Sequence, residues 1–164
     1  MRVLGIDPGT YKMGVGVLDS EEEGPALVYS CVLIPRRSDP LSARLHYLYT
    51  QLLHLIHRWQ PSVVAVEEPF VARNVRAAMA VGQAQAVAMM AAAHHGLNIY
   101  NYSPREVKKS VTGYGGSSKA QVQEMVGVLL GQPQPLASTD LADALAVAIC
   151  HSTASRISQL TVRE

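Results

Sequence analysis

Residues 3–18 read VLGIDPGTYKMGVGVL, and the fold starts from this stretch. Val3 to Ile6 is a short apolar run that stops at Asp7-Pro8-Gly9, which predicts a strand running into a turn. Met13 to Leu18 predicts a second strand, with Gly14 and Gly16 inside it. Acidic, glycine-containing residues 19–25 predict a turn, and Ala26 to Ile34 a third strand. Three strands joined by short connections imply an antiparallel meander.

Outward from there the period changes. Pro35-Arg36-Arg37-Ser38-Asp39-Pro40 is a polar breaker. Leu41, Leu45, Leu48, Leu52, Leu55, Ile56 and Trp59 then recur at helical spacing, with a stop before Pro61. Ser62 to Val66 predicts a fourth strand, bounded by Glu67-Glu68-Pro69; because it follows a helix, it should pair parallel to an earlier strand. An alanine-rich helix over about Asn74 to His94 stops at Gly96, and Leu97 to Tyr102 is a fifth strand. Helices are expected after Pro104, from Ser118 to Leu130 and from Asp140 to His151, with a loose tail beyond. The order β-β-β-α-β-α-β-α-α-α predicts an α/β fold: a five-stranded mixed sheet, meander plus parallel strands, flanked by helices. Residues 1–153 are expected to form one domain and 154–164 a C-terminal tail.

Composition narrows the function classes. A chain of 164 residues suits one core, and 48% apolar with 16% charged residues fits an ordinary globular protein. The net charge of +1 decides nothing about nucleic acid, which needs local charge. Cys31 and Cys150 lie far apart in no CxxC pattern, so neither a disulfide framework nor a zinc site is expected. The N-terminal apolar run is too short for a signal peptide, and a reducing cytoplasm is expected. Residues 77–93 carry no charge, but Gln83 and Gln85 interrupt them. The run also falls short of the roughly 20 residues of a bilayer span, so a buried helix and no membrane are expected.

Acids are few, so their positions matter. Asp7 and Glu67 end strands, while Asp140 and Asp143 open the last helix at i, i+3 spacing and share a face. Carboxylates held at the ends of rigid elements can converge as the hard oxygen ligands that Mg²⁺ or Mn²⁺ prefers. Two such ions about 3.5 to 4 Å apart can drive an in-line phosphodiester displacement. Each acid also has a structural explanation. Asp7 precedes Pro8-Gly9 as turn aspartates do, and Asp140 with Asp143 could be an N-cap and a first-turn acid.

The ordered motifs resemble the RuvC family of Holliday-junction resolvases. They are GIDPGT at 5–10, GVGV at 14–17, VAVEEPF at 64–70, VKKSVTGYG at 107–115, KAQVQEMV at 119–126 and DLADALAVAI at 140–149. The resemblance covers nearly the whole chain before the tail. It implies a ribonuclease-H-like fold, a homodimer and a Mg²⁺-dependent endonuclease that cuts four-way DNA junctions symmetrically in recombination and repair. Two metal ions per site are implied, with Mn²⁺ as an alternative. The carboxylates it selects, as catalytic residues and metal ligands, are Asp7, Glu67, Asp140 and Asp143. Glu67 is chosen over Glu68, and strand alternation agrees that the two cannot face the same way. A branch-migration complex of the RuvA–RuvB kind is the further partner that such a resemblance admits.

The DNA would meet a basic stretch. Between residues 69 and 123, Arg73, Arg76, Arg105, Lys108, Lys109 and Lys119 face one acid, Glu106, a local net of +5. The DNA-contact candidates are Phe70, Arg73, Arg76, Lys108 and Lys119. By resemblance, Lys108 and Lys119 lie near the scissile strand, and Phe70, the only phenylalanine, reaches into the junction, whereas by residue type alone Phe70 could equally be a core anchor. Lys119 follows the glycine loop 113–116 and opens a helix, where backbone N–H groups can meet a phosphate. The alanine-rich helix must be covered on more than one side, and Gly82, Ala86 and Ala93 permit the close approach of another helix.

Overall fold

A computed structural model describes residues 1–68, 75–132, 136 and 138–161. Five strands and five helices run β1 (Arg2–Asp7), β2 (Met13–Glu21), β3 (Gly24–Leu33), α1 (Leu41–Trp59), β4 (Val63–Glu67), α2 (Val75–His94), β5 (Asn98–Tyr102), α3 (Pro104–Thr112), α4 (Lys119–Leu129) and α5 (Thr139–Thr161). The sheet order is β3-β2-β1-β4-β5. The first three strands form the antiparallel meander, while β4 and β5 join parallel to β1. This is the mixed sheet that the element order predicts.

Both faces of the central strands are buried, and side-chain alternation assigns each residue to a face. Leu4 and Ile6 of β1, with Val64 and Val66 of β4, pack with Leu48, Leu52 and Ile56 of α1 and Ala84, Ala88 and Ala91 of α2. Val3 of β1 and Val63 and Ala65 of β4 pack on the other face, with Val107, Val111, Val122, Val126 and Leu145 from α3, α4 and α5. The odd-numbered positions of β1 and β4 therefore face α5.

Two expectations are corrected. Residues 19–25 are not all turn: β2 and β3 continue into them, with Glu21 opposite Gly24, and only Glu22 and Glu23 form the loop. Polar residues there still pair through the backbone, because this end of the ribbon lies beyond the apolar core. The last helix does not stop at His151 but runs to Thr161, so much of the expected loose tail is helical. No glycine or proline follows His151 to break it. Arg156 also donates to the carbonyl of Glu22 at 3.1 Å, tying the added turns to the β2–β3 loop.

Candidate active site

Parallel pairing of β1 with β4 sets Ile6 opposite Val66, so Asp7 and Glu67 end neighbouring strands side by side. Alternation turns both toward α5. Glu68, one residue on, is exposed, and its N–H bonds the carbonyl of Tyr102 at 2.9 Å.

Helix α5 reaches them because the strands beneath it carry glycine. Gly14 pairs with Asp7 across β1 and β2. A Cβ on Gly14 would collide with the backbone carbonyl of Asp140, and one on Gly5 with that of Ala144. The helix backbone thus lies directly on the sheet, and its first turns bring Asp140 and Asp143 over the strand ends.

Neither aspartate is the N-cap. Ser138 has that role, its hydroxyl accepting from the N–H of Leu141 at 3.1 Å and its carbonyl from Ala142 at 3.2 Å. The N-cap reading is therefore removed, while Asp140 still stands in the first turn, where an acid meets the positive end of the helix dipole.

The crowding is visible in the acids. Burial holds the Asp7 carboxyl well above its ordinary range, at about 8, and the negative charges of Glu67, Asp143 and Asp140 add to it while Lys119 opposes. Burial also raises Glu67 to about 7, helped by Asp143 and opposed by Lys119 and Lys108. Lys119 Nζ donates to Asp143 Oδ2 at 2.8 Å, and Lys12 Nζ lies 3.8 Å from Asp140 Oδ2. A cavity of about 250 Å³ opens beside them, with Glu67, Lys108, Lys119 and Asp143 in its wall.

Four carboxylates in mutual repulsion suit a hard divalent cation, which supplies the charge they lack. They do not form a closed coordination shell. Among the described residues, no three His, Cys, Asp or Glu side chains close on one point. Asp140 and Asp143 each face a lysine. The donor set fits such a cation by its chemistry, four carboxylates of hard oxygen.

The structure brings together Asp7, Glu67, Asp140, Asp143, Lys108 and Lys119. Arg76 is exposed in the first turn of α2 and does not line this cavity. Phe70 and Arg73 lie outside the described residues. Lys119 opens α4, but the first N–H groups there are partly engaged. Ser118 and Gln121 cap one another, Ser118 N–H to Gln121 Oε1 at 2.8 Å and Gln121 N–H to Ser118 Oγ at 3.3 Å. His151 is not at a helix end; it is buried within α5, its ring 2.8 Å from the hydroxyl of Tyr102. Lys12 was missed by sequence reasoning. Its only signal was a cation five residues after Asp7, on the turn leaving β1.

Comparison with known proteins gives the family of the chain and the fold it shares. The family model for crossover junction endodeoxyribonuclease RuvC matches residues 3–151. The RuvC of Dehalococcoides mccartyi strain 195 is 45% identical over 161 residues, 98% of each chain. That of Moorella thermoacetica is 47% identical over 154 residues, 93% of this chain and 92% of the relative. Among solved structures, Thermus thermophilus RuvC matches with a TM-score of 0.89 at 34% identity, over 96% of this chain and 97% of that one. The same protein in complex with a Holliday junction substrate matches at 0.90, over 96% of each. The yeast mitochondrial resolvase Ydc2, at 16% identity and a TM-score of 0.64, shares the fold. With its glycine-floored sheet, its strand-end carboxylates and a full-length match on both sequence and structure, the chain belongs to the RuvC family of crossover junction endodeoxyribonucleases.

Proposed function

We propose that this chain resolves four-way DNA junctions by Mg²⁺-dependent phosphodiester hydrolysis, with Asp7, Glu67, Asp140 and Asp143 as its metal-holding catalytic residues. The observation that carries this is the placing of all four on one face, from β1, β4 and α5, in a member of the RuvC family. Bound there, two Mg²⁺ ions, with Mn²⁺ as the alternative, would supply charge for the attacking water and the leaving oxygen.

The chain's own groups do the positioning. Asp7 and Glu67 are fixed by strands buried on both faces, so their carboxylates cannot drift apart. Lys108 and Lys119, at the cavity wall, offer ammonium groups to the phosphate being cut. When a phosphate takes Lys119, Asp143 is released toward the other carboxylates. Phe70, Arg73 and Arg76, on the segment after β4, are proposed to engage the junction itself, Phe70 by stacking on a base.

A homodimer supplies two sites for paired cuts. Helix α2 supports it. Ala84, Val87, Ala88, Ala91 and Ala92 are buried within the chain. The opposite stripe of Met79, Gly82, Ala86, Met90 and Ala93 is left uncovered by this subunit: Met79 and Met90 are 62% and 61% exposed, and nothing lies within 4 Å of a Cβ built on Gly82. That spacing of three and four is one helix face, open to a second copy. No helix among the described residues is long and apolar enough to cross a membrane. We place the chain in the cytoplasm, with a RuvA–RuvB type of complex as its upstream partner.

The test is a cleavage assay on a four-way junction, a plain duplex and an RNA–DNA hybrid, with Mg²⁺ and with chelator. Symmetric junction cuts that need Mg²⁺ are expected. Equal cutting of duplex or hybrid would refute junction selectivity, and cutting in chelator would refute the metal.

A further inference from the structure

We infer that the groove between the β1–β2 turn and α2 is a binding site for an unpaired nucleotide of the DNA strand that leaves the carboxylate cluster, with Tyr11 as its stacking platform. This rests on the nuclease function proposed above and adds a subsite to it.

The groove has a volume of about 870 Å³. Three features define its chemistry. The first is Tyr11, a large aromatic left 49% exposed. Its ring is not loose: the Arg44 guanidinium lies 3.9 Å from its centroid and that of Arg37 5.6 Å away. Cations over a ring hold its orientation while leaving surface for another partner. Arg44 is itself buried, 8% exposed, with Nη1 only 3.5 Å from the Thr10 carbonyl and a buried Nε that has no hydrogen-bond partner among the described residues. No acid among the described residues pairs with it.

The second feature is the positive mouth. Lys12, Arg36 and Arg37 line the groove, and Arg36 and Arg37 are exposed. A ligand with negative charge beside a flat apolar body fits this pattern.

The third is the opposite wall, made by Ala80 and Val81 of α2. These side chains can touch the face of a base but cannot read its edge. A duplex offers base edges in its grooves, whereas a half-exposed ring beside apolar side chains takes the face of an unstacked base. An unpaired nucleotide, with its phosphate on the arginines, meets all three conditions. Lys12 links the groove to the cluster, since the same ammonium group lies 3.8 Å from Asp140. The occupant is therefore the strand next to the cut. The site holds without selecting sequence.

The probe is a short single-stranded oligothymidylate carrying one 5-iododeoxyuridine, mixed with the full chain in chelator. Irradiation should cross-link the iodinated base to the peptide carrying Tyr11, identified by mass spectrometry. In titrations of the same oligonucleotide, Tyr11→Ala should bind about 10-fold more weakly, the order expected for losing one stacked base. Tyr11→Phe should bind like the parent. Arg37→Ala should weaken binding and flatten its salt dependence. An affinity of Tyr11→Ala within two-fold of the parent would overturn the inference, as would cross-links confined to other peptides or a Tyr11→Phe variant as weak as Tyr11→Ala. The junction assay distinguishes the two levels. Normal junction cutting with a neutral Tyr11→Ala sinks this subsite alone. A Tyr11-dependent cross-link in a chain that cuts no junction sinks the nuclease function alone.

Discussion

Replacing Asp7 with asparagine should make the metal-free protein more stable while abolishing its activity. The Asp7 carboxyl is held at about 8 against an ordinary 3.8, first by burial and then by Glu67, Asp143 and Asp140. The folded chain thus keeps a proton that the unfolded chain has lost, so stability falls as pH rises from about 4 to about 8 and is level above that. At about 1.4 kcal/mol per pH unit, a gap of about four units has a ceiling near 5–6 kcal/mol. Asparagine removes the charge but still buries a polar amide, so about half of that, about 3 kcal/mol, should be recovered at pH 8. For a chain of this length that corresponds to a rise of roughly 6–12 °C in Tm. The assay is thermal unfolding in chelator at pH 5, 6, 7 and 8, parent against Asp7→Asn. The variant should gain most at pH 8, and its profile should be flatter. In Mg²⁺ the same variant should bind a junction but cut it at least about 1,000-fold more slowly, the loss of about 4 kcal/mol of charge stabilisation. A variant no more stable than its parent at pH 8 in chelator, or with the same pH slope, would refute the crowding. Full cleavage would refute the catalytic assignment.

The floor of the site is tested by Gly14→Ala, whose new methyl meets the Asp140 carbonyl. It should cost about 2–3 kcal/mol in denaturant unfolding and, by lifting the start of α5, most of the cleavage rate. Glu67→Gln should lose at least about 100-fold in single-turnover cleavage, about 2.7 kcal/mol of barrier, while Glu68→Gln stays within about two-fold; equal losses would show that alternation does not choose between them. Lys119→Met should slow cleavage about 10-fold or more and bind Mg²⁺ more tightly without DNA, because Asp143 no longer faces an ammonium group; calorimetry showing unchanged Mg²⁺ affinity would refute that competition.

Strands and their faces were the most legible part of the chain. Valine and isoleucine runs ending in an acid carry both the element and its direction, and period-two alternation puts Glu67 and Glu68 on opposite faces, while the choice of Glu67 between them came from the family resemblance. Asp140 and Asp143 were less legible, because an aspartate opening a helix has an ordinary local use. The hydroxyl of Ser138, already occupying the cap, removes the N-cap use but leaves Asp140 as a first-turn acid. The boundary of α5 was misplaced for a related reason. Residues 152–161 have weak apolar periodicity, and their contacts include a bond from Arg156 to a loop more than a hundred residues earlier. Lys12 and Tyr11 were illegible as site residues. Both sit in a turn, and where a turn's side chains go is set by what packs beside it, here Asp140 for one and Arg44 for the other.

The cations also divide the four acids into two kinds. Each helix acid has an ammonium group within 4 Å: Lys12 for Asp140 and Lys119 for Asp143. Among the described residues no ion pair reaches Asp7 or Glu67, and these are the two that burial drives toward the protonated form. With these acids as the proposed metal ligands, a divalent cation would gain most at the strand pair, which has no ion pair of its own among the described residues. The helix pair would be freed for it when a DNA phosphate draws the lysines away. On that proposal the approach of DNA phosphate and the completion of the metal site would favour one another, and thermodynamic reciprocity would then require that metal strengthen DNA binding by the same factor.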